Sequence, residues 1–166
     1  MTDPVRPEHV EGRRTTRPTD TQTLSVTRFG HAEPLEVPAA GTLTFPEGLV
    51  GLDHLRHFTL VEDERVSPCR WLQSLDEPAL AFLVVDPTLV SPGYAADLPH
   101  GDRWVIITLR PQPEQSTANL LAPVVIDPHA RTGRQIVLHD SGYSLRHPVT
   151  TLSSDSTDTD DADPAA

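Results

Sequence analysis

Two apolar runs rich in β-branched residues, 120–126 and 135–138, flank a stretch punctuated by Pro128 and Gly133, and this leaves the chain few alternatives to a β-hairpin. Val124, Val125, Ile126, Ile136 and Val137 are stiff at χ1 and suit a pleated surface. Pro123 has no N–H to give to a ladder, so it marks an edge, a bulge or a strand start. The connection is expected over 127–134.

The same grammar recurs along the chain. Short strand-like runs at 24–29, 41–45, 58–61, 69–75, 80–85 and 103–109 are separated by loops that draw on 17 prolines and 9 glycines. Gly30, Pro34 and Pro38 break the chain between the first two runs. Asp76, Glu77 and Pro78 form a tight turn, so 69–75 and 80–85 are expected to pair antiparallel. After the Pro/Gly loop 45–51, residues 52–57 offer one short helix with Asp53 as a candidate N-cap. The expectation is an all-β, mainly antiparallel fold: a small closed or nearly closed β-barrel-like domain with one short helix and disordered termini.

Composition sets the boundaries. Residues 1–20 are rich in Pro, Thr, Arg and Glu without apolar periodicity and read as a disordered arm; 21–150 form the barrel; 151–166 read as a disordered acidic tail. The net charge of −11 divides into zero for the first 20 residues, −5 for the last 16 and the remaining −6 for the body. Such a chain repels phosphate, so direct nucleic-acid binding is disfavoured and a basic partner is favoured. No apolar run approaches the roughly 20 residues of a membrane-spanning helix, and the N-terminus has no secretory h-region, so a cytoplasmic location without membrane contact is expected. Cys69 stands alone and reads as a structural thiol beginning a strand.

Catalytic signatures are thin. The eight histidines include His129, His139 and His147 around the hairpin, which with Asp127 or Asp140 would suit a metal at a barrel mouth, yet their spacing matches no metal motif. Ser141 stands beside His139 and Asp140 without a nucleophile elbow, and a chain with no lysine has no phosphate-loop lysine. The reading is non-enzymatic, with no cofactor. A metal-dependent small β-barrel enzyme and a generic β-barrel interaction scaffold are the alternatives.

Surface recognition is better supported. Phe45, Leu49 and Val50 are apolar residues in a Pro/Gly loop, folded over the barrel as a plug or exposed as an anchor. Asn119 ties a turn before the apolar run or shapes a contact, together with Leu121 and Pro123. In the tail, Asp155, Asp158, Asp160, Asp161 and Asp163 are candidates for electrostatic contact with a basic partner. Trp71 and Trp104 read as core.

Four ordered blocks carry a family resemblance: LTFPEGLVG at 43–51, WLQSL at 71–75, ALAFLVVDP at 79–87, and NLLAPVVI at 119–126 followed by GRQIVL at 133–138. Between about Leu24 and Tyr143 the chain resembles the flagellar assembly factor FliW family. The resemblance implies a β-barrel-like regulator, monomeric when free, that binds either flagellin or CsrA, a small basic RNA-binding dimer that represses flagellin translation. Bound by FliW, CsrA no longer holds the flagellin mRNA. The resemblance also implies a longer acidic insert after the Asp-Pro block than residues 88–102 provide.

Overall fold

The computed structural model describes residues 20–94 and 96–149. The expected arm falls outside that range apart from Asp20, and the expected tail lies wholly outside it.

Eleven strands and one short α-helix follow in order: β1 Thr21–Arg28, β2 His31–Pro38, β3 Leu43–Thr44, β4 His57–Glu62, β5 Arg70–Ser74, β6 Ala81–Val85, α1 Pro87–Val90, β7 Asp102–Thr108, β8 Thr117–Ala118, β9 Val124–Asp127, β10 Thr132–Gln135 and β11 His147–Pro148. Seven of them, in the order β9-β10-β3-β4-β5-β6-β7, close into a barrel because β7 also pairs with β9. Closure removes the open edges that would otherwise template association. All pairings are antiparallel except the step from β10 to β3, a single parallel pair of Thr132 with Thr44.

β7 divides its outer edge between two partners. Asp102 to Trp104 pair with β9, whereas Ile107 and Thr108 pair with β8, which in turn pairs with β11. The chain between β8 and β9, residues 119–123, therefore has to bulge from the barrel wall. β6 and β7 bury both faces. Val84 belongs to the inner core with Phe45, Phe58 and Leu72, while Leu83, Val85, Val105 and Ile107 join an outer core under α1 and Tyr94. Burial on both sides explains why β6 reads as an unbroken apolar run.

A hairpin forms with a tighter turn than expected, but its second strand is β10: of the expected run 135–138 only Gln135 lies in it, while Ile136 N and Leu138 N donate to Pro123 O (2.9 Å) and Leu121 O (2.8 Å). Thr132, Gly133 and Arg134 lie in β10, and the connection is shortened to 128–131 because the Asp127 side chain accepts from the N–H groups of His129 (2.9 Å) and Ala130 (3.0 Å). Pro123 is a strand start, immediately before β9. The β5–β6 hairpin forms as expected.

Two expectations are corrected. Residues 52–57 are not helical: Leu49 and Leu52 form an isolated bridge, and the Arg56 guanidinium donates to the carbonyls of Asp53 and Pro46. Leu49 and Leu55 are both buried in the barrel core, and a continuous helix would leave no chain to return Arg56 and His57 to β4. The helix lies instead at Pro87–Val90, where Asp86 caps by accepting from Thr88 N (2.8 Å) and proline occupies the first turn.

Residues 31–38, read as broken by proline, form β2. Pro34 pairs with Ser25 and Pro38 with Thr21, while Ala39 N donates to Asp20 O (2.9 Å), so the even residues of β1 hold the hydrogen-bonded positions. Both prolines therefore sit where the missing N–H would face outward, on the edge strand that tolerates them.

Charge holds this hairpin to the barrel. Arg65 bridges Asp63 (2.7 Å) and Glu33 (2.8 Å), the Trp71 indole N–H donates to Asp63 (3.1 Å), and the Arg65 guanidinium lies 4.8 Å from the Phe29 ring centre. The hydrogen bonds from Arg65 keep both carboxyls below the usual carboxylate range, outweighing the upward push of burial. A depressed carboxylate stabilises fully above its unfolded pKa of about 4 and loses that contribution as pH falls through the folded value. Arg65→Gln is therefore expected to lower the melting temperature at pH 6 and to flatten its decline from pH 5 to pH 2.5; calorimetric curves parallel to the parent would refute the strap.

Gly48 (φ +68) and Gly51 (φ +79) share the left-handed region but differ in surroundings. A Cβ on Gly48 would stand 2.6 Å from Leu52 O, and one on Gly51 would meet nothing within 4 Å. Gly51→Ala should cost about 1–2 kcal/mol from backbone strain, and Gly48→Ala about 1–3 kcal/mol more from overpacking. Chemical denaturation of the two variants checks the difference; equal costs would show that the loop yields freely.

Candidate protein-interaction groove

Residues 49–52, 106–110, 135–137 and 145–146, with Phe82, meet beside the bulge at 119–123 and enclose an open groove of about 600 Å³. Val50, Leu145 and Val137 stand 64%, 54% and 36% exposed on its walls, and half-buried Leu52, Phe82, Ile106 and Leu121 continue the apolar surface. Single exposed apolar residues are ordinary; several adjoin one another here, which makes the groove a candidate contact surface. Thr108, Thr117, Asn119 and Gln135 supply the polar lining, and Arg110 and Arg146 are the charged residues there.

Gln135 holds the groove together. Its Oε1 accepts from Val50 N (2.9 Å) and its Nε2 donates to Ala122 O (3.0 Å), so one side chain joins the Pro/Gly loop to the bulge. Asn119 fixes the bulge internally: its Oδ1 accepts from Ala122 N (3.0 Å), while its own N–H donates to Ile106 O (2.9 Å) on β7. Leu120 turns into the outer core, where Tyr94 donates to its carbonyl (3.0 Å). Leu121, next in sequence, is thereby left on the groove wall.

The sequence-derived candidates separate cleanly. Phe45 is fully buried as the plug, its ring 4.8 Å from that of Phe58; Leu49 (3% exposed) contributes only to the groove floor. Val50, Asn119 and Leu121 line the groove together. Pro123 is buried and accepts from Ile136 N (2.9 Å), away from the groove lining. Asp155, Asp158, Asp160, Asp161 and Asp163 lie outside the described residues. Phe82, Ile106 and Val137 escape sequence reasoning, because apolar residues in strand-like runs read as core; Leu145, Arg110 and Arg146 lie outside those runs and give no sequence signal, and Gln135 stands out only as part of the 133–138 block.

Other surfaces are less coherent. A cavity of about 350 Å³ on another part of the barrel is lined by Pro46, His100, Asp127 and Arg134 among others and has a mixed charge. Among the described residues, no three His, Cys, Asp or Glu side chains cluster as metal ligands would. His57 Nδ1 instead donates to Asp76 Oδ1 (2.9 Å), and Asp76 also receives the N–H groups of Arg56 and His57. Burial raises the Asp76 carboxyl, but these hydrogen bonds outweigh it and leave the group below its ordinary value. No helix among the described residues is long and apolar enough to cross a membrane.

The family model described as FliW protein matches residues 23–149, which take in the barrel and every described wall of the groove. The chain belongs to the FliW family. It is 40% identical over 141 residues to the flagellar assembly factor FliW of Bdellovibrio bacteriovorus, covering 77% of this chain and 79% of the relative. Its identity to the protein of the same name from Natranaerobius thermophilus is 38% over 133 residues, covering 72% and 88%. A crystal structure of the flagellar assembly factor FliW superposes with a TM-score of 0.70 at 28% identity, covering 77% of this chain and 96% of that one. The FliW resemblance drawn from four short blocks thus extends over the whole closed barrel.

Replacing Gln135 by Ala should remove both bridging hydrogen bonds, at about 0.5–1.5 kcal/mol each, while leaving the barrel ladders intact. Hydrogen exchange is expected to quicken at the Val50 amide and to stay slow at Leu52, whose N–H is held by Leu49 O (2.8 Å). Unchanged exchange at Val50 would show that the loop is positioned without Gln135.

Proposed function

We propose that this FliW-family chain is a non-enzymatic cytoplasmic regulator of flagellar assembly, monomeric when free, that binds flagellin and, alternatively, the RNA-binding repressor CsrA, relieving repression of flagellin translation. The observation that carries the reading is the groove itself. Within two blocks of the family resemblance, 43–51 and 119–126, Val50 and Leu121 reach the groove, and one glutamine ties the loop to the bulge so that both line a single apolar surface.

Charge assigns the partners to different places. An apolar groove with arginines on its rim suits an apolar segment with carboxylates near it, and it does not suit a basic protein. Flagellin is therefore assigned to the groove, engaged by Val50, Leu121, Val137 and Leu145. CsrA, small and basic, is assigned to the acidic remainder of a chain whose net charge is −11. RNA affinity rests largely on counterion release at Arg and Lys, so an acidic protein docked beside that surface weakens phosphate binding without having to cover it. Because the coupling is reciprocal, RNA weakens the acidic partner's binding by the same factor.

Leu121→Asp places a charge where an apolar contact is required, and losing one buried leucine corresponds to about 1.5–3 kcal/mol. The expected outcome is a fall in flagellin affinity of roughly tenfold or more by titration calorimetry, with CsrA affinity and melting temperature within experimental scatter of the parent. Equal loss for both partners would place them on one surface. Retention of full flagellin affinity would take flagellin out of the groove.

A further inference from the structure

Arg110 and Arg146 are exposed on the groove rim, and neither makes an ion pair with any described residue. Arg28, Arg65 and Arg70, by contrast, are each paired with a carboxylate. No carboxylate lines the groove among the described residues. In a chain of net charge −11 this leaves an uncompensated positive rim around an apolar floor.

The described chain ends beside this rim: Val149 N donates to Ser116 O (3.0 Å), and Ser116 Oγ accepts from Arg110 N (3.1 Å). β11 pairs with β8, whose Thr117 lines the groove, and the described chain ends at Val149, three residues beyond Arg146. Residues 150–166 then carry five aspartates, no basic residue and a single leucine, Leu152, near their start. From Val149, six residues reach Asp155, an extended span of up to about 20 Å. The chemistry the groove lacks is attached at its edge.

We propose that residues 150–166 are an intrachain occupant of this groove, with Leu152 against the apolar wall and the aspartates against Arg110 and Arg146, so that the chain carries its own competitor for the partner site. The competitor role rests on the reading that the groove binds a partner; the intrachain contact does not. Each exposed ion pair is weak, worth at most about 1 kcal/mol. Tethering compensates, because a short linker holds the segment at an effective concentration in the millimolar range. A groove half occupied in this way binds an external partner about twofold more weakly, since only the open fraction is competent. The contact is electrostatic and exposed, so salt dissolves it: the Debye length falls from about 10 Å at 0.1 M to about 3 Å at 1 M.

The test uses the full-length chain carrying a nitroxide on Ser156→Cys. Cys69 is buried and its thiol is pushed up to about 11 by that burial, so it stays unlabelled. At 20 mM salt the amide resonances of Val50, Phe82 and Leu121, all remote from residue 156 in sequence, are expected to broaden. The broadening should vanish at 0.5 M salt and in the double variant Arg110→Gln, Arg146→Gln. Absence of broadening at low salt, or its persistence in the double variant, would overturn the inference. In parallel, converting the five aspartates to asparagine should raise flagellin affinity up to about twofold at low salt and leave it unchanged at 0.5 M. Broadening without any flagellin binding would refute the partner assignment alone. Flagellin binding that depends on Leu121 without broadening would refute the intrachain occupant alone.

Discussion

The barrel depends on the contact between Phe45 and Gly133. Its seam between β3 and β10 is a single parallel residue pair, supplemented by Thr44 N donating to Arg131 O (2.9 Å), which is little hydrogen bonding with which to close a sheet. The Phe45 ring lies directly on Gly133; a Cβ there would come within 2.2 Å of the ring, so only a bare backbone admits the plug. Burying a phenylalanine at that seam replaces ladder bonds with packing. It also determines where the rest of the Pro/Gly loop goes, because Gly48 turns the chain back over the barrel end and Leu49 and Leu55 follow the ring into the core.

The groove is built from what that closure leaves over. With Phe45 and Leu49 directed inward, Val50 is turned out, and the Gln135 carboxamide next to the seam reaches both Val50 N and Ala122 O. The bulge at 119–123 has a parallel origin: β7 changes partner from β9 to β8 midway along its length, and the intervening residues cannot pair. Leu120 enters the outer core and Leu121 faces the groove as a consequence of alternation. The same two features that close the barrel thus produce its apolar surface, and no separate binding module is needed.

Net charge and local charge point in opposite directions here. The chain as a whole is acidic, whereas the groove rim holds arginines without ion-pair partners among the described residues, so the local charge at the rim is opposite in sign to the overall charge. Within a FliW-family protein proposed to choose between flagellin and CsrA, such a division lets each partner be read by a different interaction: apolar burial in one case and long-range attraction in the other.

By itself, the sequence determined the approximate places of β1, β3 to β7 and β9, the antiparallel hairpin at β5–β6, the turn between β9 and β10, the β-barrel class and the family, because each rests on local chemistry: β-branched runs, Asp and Pro at turns, and ordered blocks; β8 and β11, two residues each, exist only through their pairing with β7 and with each other. It misread 31–38, where Pro34 and Pro38 signalled a break, since whether a missing N–H matters depends on which edge of the ladder it faces. It placed the helix at 52–57 instead of 87–90, although Asp86 and Pro87 carried a capping signal, because tertiary demand for Leu49 and Leu55 in the core overrode local propensity. Val50, Asn119 and Leu121 stood out in the sequence as candidate contact residues, but their meeting with Val137, Leu145, Arg110 and Arg146 in one groove did not. Which apolar residues of a strand are buried and which line a groove is decided by the partner switch along β7 and the seam at Gly133, and both are contacts between segments far apart in the chain.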